Sequence, residues 1–369
     1  MSIPEKSRFE YDPEELVADE VDSLPDGWTV DAPDPSDRFE LARLTHLLRA
    51  HERHGRGWSG SGVDDVLVEV SEHGLRTRAN VVIRDPEGVI HAWGSVHDRA
   101  GGRMLFVHIV ERDLPKTVQR TCSDILVEWA VGQAKAVGGA RGLDVQQIDT
   151  GAFEDDERQQ RWLRATGFEH VRTWWQMSRP VEAGEDQLVP DPTYWSDRGV
   201  RFRLVGRDED GMPPADDLRS VHQVIEGAFV DHFNHHVETF EEFIYRMREV
   251  PGHRWHHWWL AELVQGEGDA ATYTPVGALV GTETVDGNSA EPDGSYVEYI
   301  GVLEAARGRG VAKGLLRTIV ADAARRQRTT VGLEVDADSS TGAQNLYSSM
   351  GWRTKYVTQS WHRDVPVED

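Results

Sequence analysis

Tyr296-Val297-Glu298-Tyr299-Ile300-Gly301-Val302, followed after four residues by Arg307-Gly308-Arg309-Gly310-Val311-Ala312, is the stretch on which the reading of this chain turns. The first part alternates and is rich in Val, Ile and Tyr, so it predicts a strand. The second part is a basic, glycine-bearing turn that opens a helix with Val311, Leu315, Ile319 and Ala323 on one side. A strand that feeds such a turn offers unpaired backbone N–H groups and the positive end of a helix dipole. That is an anion site, and a diphosphate is a fitting guest. Gly308 and Gly310 let the backbone approach it without an intervening side chain.

Two familiar phosphate loops do not fit. A Walker loop needs Gly-Lys-Ser/Thr after four spacers, and none is present. A dinucleotide fingerprint begun at Gly308 needs glycine at 313, where Lys313 stands; Gly314 comes one residue late. The pattern Arg/Gln-x-x-Gly-x-Gly/Ala is met by Arg307, Gly310 and Ala312. It resembles the acetyl-CoA diphosphate loop of the GNAT acetyltransferase superfamily. Downstream, Thr330 to Val335 predicts another strand. Asp336-Ala337-Asp338-Ser339-Ser340-Thr341-Gly342-Ala343-Gln344-Asn345-Leu346-Tyr347 follows, closed by Met350-Gly351-Trp352. This is similar to a second GNAT signature, with Ser339 where many relatives have Asn and Trp352 where they have Phe. The two motifs cover the C-terminal third.

The order of elements occurs twice. Trp162-Leu163-Arg164-Ala165-Thr166-Gly167-Phe168 aligns with Leu346-Tyr347-Ser348-Ser349-Met350-Gly351-Trp352, 184 residues apart (167 to 351). A helix, a C-cap glycine and an aromatic that starts a strand recur. The resemblance therefore implies a fold of the α/β (α+β) class. Two tandem GNAT-like domains are expected, each a mixed, mostly antiparallel twisted sheet flanked by helices, an arrangement similar to mycothiol synthase. The expected boundaries are an acidic N-terminal segment (1–35), a degenerate GNAT-like domain (36–182), a linker (183–197) and a catalytic GNAT domain (198–369). Smaller expectations are a helix from Arg38 to Glu52, a strand from Leu143 to Ile148, and a short helix near Pro13 to Val21.

At 369 residues, two domains are the natural expectation. A net charge of −24 argues against nucleic-acid binding and against anionic membrane surfaces. The first 34 residues hold eleven acidic and two basic side chains. Cys122 is the only cysteine, which excludes an internal disulfide, and its place in an apolar helix points to packing. With no signal-like or membrane-spanning apolar run, a cytoplasmic protein is expected.

The two halves differ in chemistry. The N-terminal counterpart of the diphosphate turn is Glu111-Arg112-Asp113-Leu114-Pro115-Lys116-Thr117. It has no glycine, Pro115 has no N–H, and Glu111 and Asp113 repel a diphosphate. Leu163 stands where Tyr347 stands in the other half and has no proton to give. The N-terminal half is expected not to bind acetyl-CoA productively, and instead to pack beside the active half and wall the acceptor pocket.

In the C-terminal half the resemblance implies that acetyl-CoA, as cosubstrate, is held by Arg307, Gly308, Arg309, Gly310, Val311 and Ala312, with Ser339 nearby. Ile300, Gly301 and Val302 would line the pantetheine arm, with a backbone N–H near Val302 polarising the thioester carbonyl. Gly301 suits a bulge in this strand. Tyr347 is the candidate general acid, although a Tyr on an amphipathic helix is ordinarily a core residue. Glu298, read as sharing a face with Tyr296 and Ile300, is the candidate base. The alternative role for a carboxylate there is only to attract a cationic amine. The competing base lies in Asp231-His232-Phe233-Asn234-His235-His236, where one of the three histidines, at 232, 235 or 236, could take the proton. Asp231, His232, His235 and Tyr296 are the candidate acceptor contacts. No metal is expected: neither that histidine group nor His253, His256 and His257 has a ligand spacing or a nearby acid in sequence. The expected activity is N-acetylation of a small-molecule amine by a monomer whose tandem domains make the pairing that single domains make as dimers. The alternatives are a non-catalytic CoA-binding regulator and, more narrowly, a mycothiol synthase.

Overall fold

The computed structural model describes residues 23–99, 102–189, 193–195, 197–209, 211–230, 238–249, 255–266, 270–284, 293–339 and 342–367. The chain divides into two compact units. One comprises Met1–Trp174, Asp336–Asp338 and Tyr356–Asp369; the other comprises Trp175–Val335 and Ser339–Lys355.

The first unit runs β1 (Thr29–Asp31), α1 (Arg38–Arg56), α2 (Val63–Val70), β2 (Arg78–Arg84), β3 (Ile90–Arg99), β4 (Arg103–Val110), α3 (Lys116–Arg141), β5 (Val145–Phe153) and α4 (Glu157–Ala165). β6 (Glu169–Pro180) starts in this unit and ends in the other. The second unit adds β7 (Thr193–Trp195), β8 (Val200–Leu204), α5 (Ala215–Ala228), α6 (Phe240–Glu249), β9 (Trp258–Gln265), β10 (Thr272–Thr284), β11 (Gly294–Val302), α7 (Val311–Arg325), β12 (Thr330–Asp336) and α8 (Ala343–Ser349). The last strand, β13 (Arg353–Pro366), lies mostly in the first unit, antiparallel to β5 from Thr358↔Phe153 to Pro366↔Val145.

Strands of the first unit follow the order β1-β2-β3-β4-β5-β13, and those of the second the order β12-β11-β10-β9-β8-β7. In each unit one internal pair is parallel, β4 with β5 and β11 with β12. The other pairs with a resolved register are antiparallel. The mixed, mostly antiparallel sheet with flanking helices expected for both halves is what the structure has.

Local rules explain the element ends. Asp37 caps α1 by accepting from the Phe39 N–H at 2.7 Å. The helix continues past Glu52 to Arg56 because Gly57, at φ 90°, supplies its left-handed stop. β5 extends past Ile148 to Phe153, with Ile148, Thr150 and Ala152 all buried on one face. The sequence repeat has the same capping bonds in both places. Phe168 N–H donates to the Leu163 carbonyl at 2.9 Å, and Trp352 N–H donates to the Tyr347 carbonyl at 3.1 Å. The expected helix near Pro13 to Val21 lies outside the described residues.

The second unit's sheet is covered on both faces. On one, α7 buries Val311, Leu315, Leu316, Ile319 and Val320 against Val297, Leu279, Leu333 and Val335. On the other, α5 and α6 bury Leu218, Val221, Ile225, Phe243 and Met247 against Trp258, Leu260, Ala278 and Val280. Each such side chain contributes about 1.5–3 kcal/mol by leaving water. The two layers hold β11 between them and so position the site.

Candidate active site

β11 carries the irregularity that defines the site. It pairs with β10 from Gly277↔Val302 to Val280↔Tyr299, and pairing resumes at Gly281↔Val297. Glu298 is therefore an extra, unpaired residue, a β-bulge. The parallel pairing with β12 runs from Gly294↔Thr330 to Val297↔Leu333 and stops there. Beyond Val297 the two strands no longer exchange backbone bonds, and the carboxylate of Glu298 stands at the start of the gap.

Two sequence expectations are corrected here. The bulge lies at Glu298, not at Gly301, which pairs regularly with Ala278. Glycine is required at 301 because a Cβ there would sit 2.8 Å from the Ala228 Cβ on α5. Glu298 also does not share one regular face with Tyr296 and Ile300. Val297 and Ile300, three residues apart, both pack toward α7, which places Tyr296 on the opposite side. The inserted residue shifts the alternation.

Glu298 is half-buried, and burial raises its carboxyl above the ordinary 4.5. The carboxylate of Glu334 pushes in the same direction, while Arg246 on α6 opposes it. Glu334 is the residue after Leu333, so it begins the β12 side of the gap as Glu298 begins the β11 side. Gln176 donates its amide to Glu334 and accepts from the Tyr296 hydroxyl at 3.3 Å. Arg246 is gripped by both oxygens of Glu238 at 2.8 and 2.6 Å and donates to the Tyr299 hydroxyl at 2.6 Å. Glu334, Gln176, Arg246 and Tyr299 were not picked out from sequence. Their involvement depends on the register between β11 and β12 and on the seating of α6.

The glycine turn meets the requirements of an anion cradle. Gly308 and Gly310 adopt φ 76° and 78°, and a Cβ built on either meets nothing within 4 Å. Gly310 is the N-cap of α7 and offers no side-chain cap. The first backbone bond back into the turn is Gly314 N–H to the Gly310 carbonyl at 2.9 Å, which leaves the N–H groups of Val311, Ala312 and Lys313 pointing out of the helix start. Arg198 donates to the Gly308 carbonyl at 2.6 Å, and Arg307 and Arg309 are exposed. Open space, orphan donors and nearby cations fit a diphosphate. Val311 contributes only its backbone, since its side chain is core. Ile300 and Val302 line the gap's α7 side, half-buried.

Tyr347 sits on α8 in the same core, 7% exposed, with its ring edge-on to Trp352 at 6.4 Å. Burial pushes its phenol up to about 12. The phenol therefore keeps its proton across the ordinary pH range. Ser339 ends the turn after β12, half-buried. Asp231, His232 and His235 lie outside the described residues.

The corresponding gap in the first unit is filled from within. β4 and β5 pair from Arg103↔Gln147 to Phe106↔Thr150 and then separate. Into the separation Arg158 donates to the Val110 carbonyl at 3.0 Å and to Gln119 at 2.8 Å. Arg112 pairs with the buried Asp156, and Gln119 donates to the carbonyls of Arg112 and Leu114 at 2.7 and 2.6 Å. The loop that corresponds to the diphosphate turn is thus tied down by side chains.

His256, His257 and Glu283 come together despite their separation in sequence, with ligand atoms within 4.8 Å of one another. A guanidinium already fills the cation's place: Arg328 lies 2.6 Å from His257 Nε2, 2.5 Å from Glu283 and 2.8 Å from Ser295.

Residues 220–352 match the model of the acetyltransferase (GNAT) family. This stretch forms a GNAT-type acetyltransferase domain, and such a domain supports an acyltransferase. No curated protein matches the sequence. Among solved structures, a GCN5-related N-acetyltransferase from Sphaerobacter thermophilus aligns at TM-score 0.67 and 22% identity, over 93% of this chain and 98% of that one. A tandem GNAT protein from the clavulanic acid biosynthesis pathway aligns at TM-score 0.62 and 10% identity, over 93% of this chain and all (100%) of that one. Saccharomyces cerevisiae N-myristoyltransferase with bound myristoyl-CoA aligns at TM-score 0.52 and 10% identity, over 95% and 82%. These likenesses extend the fold agreement to both halves. No helix among the described residues is long and apolar enough to cross a membrane.

Proposed function

We propose that this chain moves an acetyl group from acetyl-CoA to a primary amine of a small molecule, at a site built by its C-terminal half. The observation that carries the reading is the coincidence at Glu298 of a strand bulge with the end of β11–β12 pairing. It sets a carboxylate of raised proton affinity at the head of a gap that has the anion cradle on its α7 side. The N–H groups at the start of α7 hold the diphosphate, and Ile300 and Val302 flank the pantetheine arm. Glu298 takes a proton from the incoming amine, directly or through water. Tyr347 protonates the departing thiolate.

Release of free CoA from acetyl-CoA, followed with a thiol reagent over a panel of primary amines, tests the reading. Amine-dependent release that is lost in Glu298→Gln, with acetyl-CoA still bound, is the expected result. Acetyl-CoA binding with no amine-dependent release would favour a regulatory, non-catalytic role instead.

A further inference from the structure

Glu298 is held by neither neighbouring strand, yet a base must keep one position. We propose that Arg246, on α6, is the positioning residue of this site: by clamping Glu238 and the Tyr299 hydroxyl at once, it seats α6 on the bulged stretch of β11 and supplies the positive charge beside which Glu298 works. This role rests on the amine-transfer reading and acts through the base, not on the substrates.

The register explains the need. Val297 pairs with Gly281 and Tyr299 with Val280, so Glu298 has no partner on β10. Pairing with β12 ends one residue earlier, at Val297↔Leu333. A bulged residue without ladder bonds takes its direction from what fixes its neighbours. Val297 and Ile300 are fixed in the α7 core, while Tyr299 packs on the opposite side, against the cluster that holds Phe243 and Trp258. Tyr299 is thus the link from the bulge to α6, and Arg246 closes it. Its Nη1 donates to the Tyr299 hydroxyl at 2.6 Å, while Nε and Nη2 donate to the two Glu238 oxygens at 2.8 and 2.6 Å. The guanidinium carbon also lies 5.2 Å from the centre of the Tyr299 ring and 5.6 Å from that of Phe243. A planar fork can make all these contacts from one side chain, and a lysine ammonium cannot.

The same residue sets the charge at the base. Burial, and then Glu334 on β12, disfavour the ionised form of Glu298, and Arg246 opposes both. Burial works against the guanidinium's own charge, but the Glu238 and Tyr299 contacts outweigh it, so Arg246 stays protonated. Glu238 tempers its field in turn. His222, on α5, also stands at this corner, with Nε2 3.0 Å from the Glu238 carbonyl. β10 brings Val280 and Gly281 to the bulge, and Tyr347 belongs to the core on the α7 side. Removing the Arg246 charge takes away the opposition to burial and Glu334, and leaves Glu238 as a further negative charge. Removing the Glu238 charge does the reverse, because Arg246 then acts on Glu298 without its counter-charge.

The test is the pH profile of kcat/KM for the full chain with saturating acetyl-CoA. The amine is whichever of 1-aminobutane, 1,4-diaminobutane and 2-phenylethylamine the wild type uses best, kept the same for every variant so that its own ionisation cancels. Arg246→Gln should move the acidic limb to higher pH and lower the plateau by about tenfold. Arg246→Lys keeps the charge and loses the fork, so the limb should return toward its wild-type position while the plateau stays low. Glu238→Gln should move the limb to lower pH. A purely structural role would lower the plateau in these variants and move no limb. Calorimetric binding of acetyl-CoA should be kept in all three. If Arg246→Gln does not fold, the direction taken by the Glu238→Gln limb decides alone. A limb that stays in place in a folded Arg246→Gln, or that does not move down in Glu238→Gln, overturns this inference alone. Absence of amine-dependent CoA release from a wild type that binds acetyl-CoA overturns the amine-transfer reading and this inference with it.

Discussion

The side-chain amide of Gln159 donates to the His108 carbonyl at 3.2 Å and to the Gly151 carbonyl at 3.3 Å, bridging β4 and β5 just past the point where they stop pairing. Strands that separate leave carbonyls and N–H groups without partners, and these must be satisfied by something. In the first unit the protein's own side chains do it. In the second, the matching gap has a glycine cradle beside it.

Gln159→Ala should therefore destabilise the protein by about 1–3 kcal/mol, because the buried His108 carbonyl and the half-buried bond to the Gly151 carbonyl lose their donor. Chemical denaturation measures this, and CoA release should be unaffected. A loss below about 0.5 kcal/mol would mean that water replaces the amide without penalty.

His108, in the same filled gap, is 4% exposed, and neither ring nitrogen has a hydrogen-bond partner among the described residues. Its ring stacks on Phe106 at 5.4 Å and meets Trp162 edge-on at 6.1 Å. Burial first, then His51 and Arg158, pushes it down from 6.5 to about 3. Above pH 6.5 both folded and unfolded states are neutral here and the group has no pH effect. Below it the unfolded chain gains a proton that the folded one refuses, so stability falls until the pH nears 3, by about 1.4 kcal/mol per unit. His108→Phe should remove this slope. Denaturation midpoints measured from pH 8 to pH 5 should show the variant gaining on the wild type as pH falls, and parallel curves would contradict the assignment.

Much of this was legible from sequence because it depends on neighbours along the chain. Gly167, Gly310 and Gly351 mark helix ends by a local rule, and all three have positive φ. Val200–Leu204 and Ala343–Ser349 fall where alternation and spacing place them. What was hidden depends on pairing between strands. Gly301 looked like the bulge because glycine often marks one, yet here it answers to the close approach of Ala228. Nothing along the chain singles out Glu334; the register between β11 and β12 sets it beside Glu298.

Tyr347→Phe should lower turnover by about 10²–10⁴-fold and leave acetyl-CoA affinity nearly unchanged. The buried phenol makes no hydrogen bond to a described residue, so removing its oxygen breaks no structural bond among them. Single-turnover kinetics beside equilibrium binding separates the two effects. Unchanged turnover would remove the acid role.

The raised proton affinity of Glu298 gives a pH signature. Only the ionised carboxylate can accept a proton, so kcat/KM should fall as pH drops toward its pKa, and that limb should lie above 4.5. Glu334→Gln removes a like charge and should move the limb to lower pH, and Glu298→Gln should abolish it. A limb indifferent to both substitutions would point to another base.

Calorimetric titration of the full chain with acetyl-CoA tests the central claim, that the turn before α7 grips the diphosphate. One equivalent should bind. Gly310→Ala should weaken binding modestly, since a Cβ finds open space and only the backbone at φ 78° resists. Gly310→Glu carries the same strain and adds a carboxylate to the cradle, so binding should vanish while the melting temperature stays close to that of the alanine variant. Two equivalents in the wild type, or undiminished binding in Gly310→Glu, would contradict the account.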